Sequence, residues 1–493
     1  MAPATNFTKD HLLSQIRHLE FKYLWQLLAA FILIPGPTLA AYTKFWRLYD
    51  VWKGQAHITA IELHRKHGPV VRIGPNHVSI ADPSYIPVIY NIKENYIKSA
   101  FYPIQSTSWN KKTEMNIFST QDPAFHRSER RKIASAYSLP NLLESETAMD
   151  SCINLFMERL DEYALNQKPI DLGTWLQYFA FDVRQKAWSI EQILTYAALC
   201  GQVPEYHKFL LGNPIFNAVI PAAETWNAVL VFTLKVINTR ASIEHNGELI
   251  NADAGGRDML SQWAYVKSSD PLKMNTRDIV VGLSTNVFAG SDTTAIALRS
   301  IVYYLCKNPH CMAKVVQEID GADEEGKLST PITYKETTTV LPYFCAVLKE
   351  AMRLHPSVGL LMERHVPAEG VEMSGRFIPG GTIVGINPWV INRDKTMFPD
   401  PDDFKPEGWM TAAEGQLRQM DNIIELNFGG GARKCIGRNM SMIEMHKVVP
   451  QLLREFTVEL THPEKKWSTC NHWFVQQGDL ICSLTRRAKK PSQ

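Results

Sequence analysis

The 493-residue chain contains no C-x-x-C pair: its eight cysteines (Cys152, Cys200, Cys306, Cys311, Cys345, Cys435, Cys470 and Cys482) are scattered. That pattern indicates neither a zinc site nor a disulfide framework, and a reducing compartment fits it best. Net charge is also missing, at a formal +2, so there is no nucleic-acid footprint. No Gly/Ser- or Pro-rich linker, internal repeat or low-complexity tract divides the chain. A length that would suit three average domains is therefore read as one catalytic domain behind a short leader. An apolar run of about 20 residues, the length a membrane-crossing helix needs, is absent as well.

What stands in its place is the shorter segment Tyr23 to Ile34 (YLWQLLAAFILI), followed by the stiff Pro35-Gly36-Pro37 hinge. Mixed charges precede it and no small-residue cleavage site follows, so a membrane anchor or monotopic contact is favoured over a signal peptide. A core helix is the alternative. Residues 1–37 are thus a leader with a membrane-contacting segment, and residues 38–493 the catalytic domain.

Composition is otherwise ordinary for a globular protein, with 45% hydrophobic and 21% charged residues. Ala56 to Lys66 has the period of an amphipathic helix, and Pro69 to Ala81 reads as two short strands around a Gly74-Pro75-Asn76 turn. Asp122 to Leu305 is mostly helical in pattern, and Val358 to Val384 suggests short strands. A proline-rich irregular meander is expected from Phe398 to Leu426, a helix over Ser441 to Phe456, and a terminal hairpin within Thr457 to Leu484. The fold class is mainly α with a minor β-sheet (α+β).

The most informative stretch is Phe428-Gly429-Gly430-Gly431-Ala432-Arg433-Lys434-Cys435-Ile436-Gly437. Its glycines let backbone N–H groups approach the sulfur, and a helix N-terminus near Ile436 would add positive potential. Cys435 is therefore expected to be an ionised metal ligand; a buried structural cysteine is the alternative. The ten positions fit F-x-x-G-x-R-x-C-x-G throughout, and the stretch resembles the heme-binding loop of the cytochrome P450 family.

Other segments extend the resemblance. Thr276 to Leu305 is the longest helical pattern, capped by Asn275 or Thr276, with Ala289-Gly290-Ser291-Asp292-Thr293-Thr294 at its middle. Gly290 among side chains that bond carbonyls is expected to open or bend the helix there. The segment looks like the family's oxygen-activating helix, in which Thr293 hydrogen-bonds dioxygen and Asp292 helps deliver protons. Glu350 and Arg353 form an E-x-x-R pair that alone would read as a surface ion pair. The resemblance makes it the buried brace behind the heme.

Arginines are the usual partners of heme propionates. His126-x-x-x-Arg130 resembles the family's W-x-x-x-R, Arg364 follows Leu361-Met362-Glu363 at a propionate-contacting position, and Arg433 comes from the loop itself. Taken singly, Arg130 and Arg364 read as solvated surface arginines.

The resemblance runs from the Ile34-Pro35-Gly36-Pro37 hinge to the terminal hairpin, and segments such as Asn387-Pro388-Trp389 look like the fungal, microsomal class II branch that includes pisatin demethylase-like enzymes. It implies the cytochrome P450 fold, heme b, and oxygen insertion into a lipophilic small molecule of fungal secondary metabolism. NADPH-derived electrons would arrive through NADPH-cytochrome P450 reductase. A monomer at the endoplasmic reticulum membrane is expected, its catalytic domain on the cytosolic face. The pocket is expected to be lined by Phe101 to Asn116, Val287, Phe288, Val358 to Leu361, Trp473 and Phe474.

Two departures stand against the family pattern. The meander motif F-x-P-E-R reads Phe404-Lys405-Pro406-Glu407-Gly408, so the arginine that completes a triad with Glu350 and Arg353 is missing, and Arg393 is the candidate substitute. Phe181-Asp182-Val183-Arg184-Gln185-Lys186 passes to the next helix without the longer glycine- and phenylalanine-rich run of similar enzymes. These departures keep two alternatives in view, a heme-thiolate isomerase or dehydratase and a degenerate heme-binding protein without turnover.

Overall fold

A helix of 32 residues, Thr276–Lys307, runs through the core, and its start is fixed locally. The Asn275 side chain accepts from the Asp278 N–H while Asp278 accepts from the Asn275 N–H, a reciprocal cap that satisfies two of the helix's unpaired donors. Its second half is mostly apolar and closely packed, with Arg299 and Ser300 buried among the apolar residues. Leu298, Ile301 and Val302 share one buried core with Leu348 and Ala351 of the helix Pro342–Leu354, Val448 and Leu452 of Arg438–Glu455, and Leu160 of Glu146–Leu165. At Gly290 the helix does not open: it is continuous, and the Thr293 hydroxyl donates to the Ala289 carbonyl at 2.9 Å, the expected bond to a backbone carbonyl.

The computed structural model describes residues 34–109, 112–180, 187–213, 226–245 and 258–488. The Tyr23 to Ile34 segment, apart from Ile34, and the run Phe181 to Lys186 lie outside them. Among the described residues no helix is long and apolar enough to cross a membrane.

The minor sheet has four strands in the order Val70–Gly74, His77–Ile80, Ile383–Ile386, Arg364–His365. Its second and third strands are parallel, with Val78 opposite Val384, so strands from opposite ends of the helical region are joined in one sheet. The Pro35-Gly36-Pro37 turn docks on this sheet through the Arg72 N–H and the Pro35 carbonyl (2.8 Å). A Cβ on Gly36 would stand 2.2 Å from the Arg72 carbonyl oxygen, so only glycine allows that approach.

Near the C-terminus, Phe456–Leu460 and Ile481–Arg486 pair in a three-stranded sheet with Ile170–Asp171. Between them lies the hairpin Thr469–His472 and Phe474–Gln477, whose tip is Trp473 at φ 80°. A bulky residue held in the left-handed region costs free energy and points to function. The meander is more ordered than its prolines suggest: they end at Pro406, and beyond them Glu414–Glu425 forms an amphipathic helix burying Met420, Ile423 and Ile424.

Burial of imidazoles gives the fold a pH dependence. Desolvation pushes His57, His77, His126 and His355 down to about 3, and His64 and His446 to about 4, from 6.5. Both ring nitrogens of His57 lack a hydrogen-bond partner, so packing alone holds that ring. Because these folded-state values are depressed, the unfolded chain takes up protons first as pH falls through 6.5. Their stability contribution is full above that pH and is lost down to about 4 for His64 and His446 and about 3 for the other four. Each site can cost up to about 1.4 kcal/mol per pH unit in that window. Glu444 and Glu318, both raised by burial, work the other way, but as two sites against six. Thermal unfolding is expected to show a steep loss of stability between about pH 7 and pH 5, and a flat profile there would disprove the account.

Candidate active site

Two short helical turns and the N-terminus of Arg438–Glu455 hold Cys435. The Cys435 N–H donates to the Phe428 carbonyl at 2.7 Å and closes the loop. Gly429 (φ 74°) and Gly431 (φ 58°) supply the left-handed residues this needs, and a Cβ on Gly431 would strike the Tyr90 carbonyl at 2.4 Å. The sulfur accepts N–H bonds from Gly437 and Arg438, and the Arg130 and Arg438 charges also favour the thiolate. Burial outweighs them and pushes the thiol up, correcting the expectation of an acidic cysteine. A cation placed at the sulfur is what would reverse that balance.

Cys435 lies deep in the chain yet remains solvent-reachable, because it faces an internal cleft. The opposite wall is the middle of the long helix. Ala289 and Gly290 are exposed there between buried neighbours, and nothing lies within 4 Å of a Cβ built on Gly290. Thr294 Oγ1 meets Ser441 Oγ at 3.0 Å, tying this segment to the helix that begins after Cys435. Tyr137 adds a second tie, bonding Asn286 through its hydroxyl and accepting from Asn439 Nδ2 at 3.0 Å through its carbonyl.

Asp292 is buried beside the cleft and accepts from Gln177 Nε2 at 2.7 Å and Gln476 Nε2 at 3.3 Å. Glu444, on the helix that begins after Cys435, is raised to about 8 by burial against the pull of its Thr294 hydrogen bond, which favours its protonated form. Neither the two glutamines nor Glu444 stood out in the sequence, since glutamines outside a motif carry no signal.

The three expected arginines converge at one end of the cleft. Arg130 donates to the Lys434 carbonyl at 2.8 Å, Arg433 to Glu94 at 2.6 Å and the Thr120 carbonyl at 2.9 Å, and Arg364 to the Tyr102 hydroxyl at 3.1 Å. Lys98 joins them, buried with its amine donating to the Phe118 carbonyl and lying 4.3 Å from the Tyr102 ring centroid. Burial lowers that amine well below its ordinary value, and the Arg364 and Arg433 charges lower it further against Glu94. His126 Nδ1, 3.6 Å from Glu94, has no hydrogen-bond partner. Glu363 does not balance the cations, being bonded to Arg47 and Ser99.

Four cations gathered around Glu94, Lys98 and Arg364 buried and Arg130 and Arg433 half-buried, make a site for anions. A planar, dianionic group with a central metal fits the set: its carboxylates would meet Lys98, Arg130, Arg364 and Arg433, its face would meet Ala289 and Gly290, and its iron would meet Cys435. Lys98→Met is expected to weaken heme binding by about tenfold or more in titrations of apoprotein, the size of one lost charge-assisted bond. Unchanged affinity would show that the amine serves another anion.

Behind the loop, Arg353 grips Glu350 through Nε and Nη2, both at 2.8 Å. The pair is buried, as the family pattern implies. Its third member is not Arg393, which donates instead to Asp402 at 3.0 Å and to the Leu354 carbonyl at 2.9 Å. It is Trp409, whose Nε1 donates to Glu350 at 2.9 Å from the turn that Gly408 opens. An indole supplies the donor that the missing arginine would have brought.

A mainly helical domain that sets one thiol against an open helix face, with cations for two carboxylates beside it, defines a heme-thiolate enzyme. The cytochrome P450 family model matches residues 35–188 and 221–481. The chain is 37% identical over 476 residues to cytochrome P450 monooxygenase cicH of Emericella nidulans, covering 92% of this chain and 93% of that protein. With cytochrome P450 monooxygenase gsfF of Penicillium aethiopicum identity is 32%, covering 92% and 93%, and with pisatin demethylase of Fusarium vanettenii 30%, covering 92% and 91%. The chain belongs to the cytochrome P450 family. It is a heme-thiolate monooxygenase that takes electrons from a reductase and acts on a small molecule.

Proposed function

We propose that the chain oxygenates a lipophilic small molecule of fungal secondary metabolism, working as a monomer at the endoplasmic reticulum membrane with its catalytic domain on the cytosolic face. Electrons come from NADPH through NADPH-cytochrome P450 reductase. The observation that carries the reading is the open Cys435 thiol and the exposed Gly290 surface on the walls of a cleft whose one end gathers four cations.

Heme b, when bound, supplies the redox chemistry that divides dioxygen, one atom entering the substrate and the other leaving as water. Cys435, whose sulfur accepts from the Gly437 and Arg438 N–H groups, would hold its iron. On the opposite wall, Asp292 and Thr293 pass protons inward from the protein. Arg130, Arg364, Arg433 and Lys98 would hold the heme carboxylates within the cleft.

An apolar lining supports the substrate class. The Phe101 and Trp473 rings lie 4.9 Å apart, Tyr102 and Phe118 close the cluster, and Phe474 bridges to Val358. The membrane assignment draws on a patch of Leu39, Tyr42, Phe45, Tyr49 and Trp52, exposed on two consecutive helices. Exposed Tyr206, Phe209 and Leu210 continue it, linked by Lys44 and Glu205 at 3.0 Å. Apolar exposure on this scale marks a docking or membrane surface.

Microsomes carrying the full chain and the reductase, supplied with NADPH, isotope-labelled dioxygen and a panel of lipophilic aromatic compounds, are expected to yield a product with one labelled oxygen. NADPH-independent rearrangement would favour the isomerase or dehydratase alternative, and heme binding without turnover of any candidate the degenerate one.

A further inference from the structure

We propose that Gln177 and Gln476 are positioning residues for Asp292, clamping its carboxylate between two neutral amide donors, and that Arg299 fixes the polarity of the Gln177 arm. The proposal rests on the reading of Asp292 as a proton-delivering acid and goes beyond it by naming what holds the acid in place.

A glutamine side chain can present either its oxygen or its nitrogen, and its surroundings decide which. Arg299 Nη2 donates to Gln177 Oε1 at 2.8 Å, and a guanidinium has only donors to offer. The amide nitrogen of Gln177 is thereby turned to Asp292 Oδ1, 2.7 Å away. Arg299 is itself immobile: it is buried, and its Nε donates to the Gly173 carbonyl at 2.8 Å. It stands seven residues beyond Asp292 on the same helix, roughly 10 Å along the axis; its charge acts on Asp292 through space, and the amide is the hydrogen-bonded link between them.

Neutral donors suit an acid that must gain and lose a proton. A directly paired arginine typically depresses a carboxyl by about 1–3 pKa units, whereas amide bonds orient it with a weaker pull. The second arm also couples the acid to the pocket. Gln476 sits on the strand Phe474–Gln477, and alternation along a strand puts it on the same face as Phe474, which bridges to Val358. The helix Leu172–Ala180 contributes the first arm and the terminal hairpin the second, so three elements set the position of one carboxylate.

The test uses purified full-length holoprotein and cumene hydroperoxide, whose alcohol and ketone products report O–O cleavage with and without a well-placed proton donor. Wild type, Asp292→Asn, Gln177→Leu, Gln476→Leu and the double variant Asp292→Asn/Gln177→Leu are compared across pH. Gln177→Leu is expected to lower the alcohol-to-ketone ratio by about tenfold and to shift its pH midpoint, a part of the roughly 10²–10⁴ that a placed acid contributes. In the Asp292→Asn background the same change is expected to have no further effect on the ratio, and the drop it causes in thermal midpoint is expected to shrink by at least half.

Independent, additive effects would overturn the clamp, as would a Gln177→Leu variant with the wild-type ratio. An unchanged ratio in Asp292→Asn would overturn the reading of Asp292 and the clamp with it. If Gln177→Leu fails to bind heme, Gln177→Asn, which shortens the amide arm while keeping its polarity, takes its place with the same outcomes.

Discussion

Cys435→Ser is expected to abolish the red-shifted absorption band of the reduced, carbon-monoxide-bound protein and, with it, all oxygenation. A serine hydroxyl fits the same turn and accepts the same N–H bonds from Gly437 and Arg438, so the loop survives. What disappears is the soft, polarisable anion. A hydroxyl in this buried position keeps its proton and pushes little electron density toward a metal. Heme is expected to stay bound, because Lys98, Arg130, Arg364 and Arg433 are untouched. The spectrum therefore separates loss of the ligand from loss of the cofactor. A variant that keeps the band, or a wild type without one, would overturn the assignment of Cys435.

The sequence made the ligand legible because Phe428 to Gly437 is a local device: left-handed glycines, an N–H-lined turn and a helix start lie within ten positions. The long helix was legible for the same reason, its period and its Asn275 cap being written in contiguous residues. The cation cluster was only half visible. Arg130, Arg364 and Arg433 matched motifs, but Lys98 and Glu94 lie in an unremarkable stretch, and only tertiary burial makes their charges costly. The Gln177 and Gln476 contacts depend on a helix and a hairpin that lie nearly three hundred positions apart, which no local pattern encodes. The acidity expected for Cys435 failed at the same point. Neighbouring donors can be read from sequence, whereas the desolvation that outweighs them cannot.

The ion pair behind the loop gives the largest expected effect on folding. Besides its two bonds to Glu350, Arg353 donates to the carbonyls of Asn392 (3.0 Å), Pro401 (2.6 Å) and Asp403 (2.9 Å), so one guanidinium organises the start of the meander. Arg353→Ala leaves the Glu350 charge uncompensated and strips those carbonyls of their donor, at a cost of about 3–5 kcal/mol. Thermal unfolding of the holoprotein is expected to fall by roughly 3–5 °C, with less heme per chain. Trp409→Phe isolates the substituted member of the triad, because it keeps a ring against Phe398 and removes only the Nε1–H donor. Glu350 retains Arg353 and the Lys405 N–H at 2.8 Å, so the expected cost is smaller, about 1–3 kcal/mol. Gly408→Arg restores the family's residue at a position with no atom within 4 Å of its built Cβ, and it is expected to fold normally. If Trp409→Phe proved as stable as wild type while Gly408→Arg gained several degrees, the indole would not be the triad's third member. The expected order, Arg353→Ala well below Trp409→Phe and both below Gly408→Arg, would make the missing arginine a replaced part.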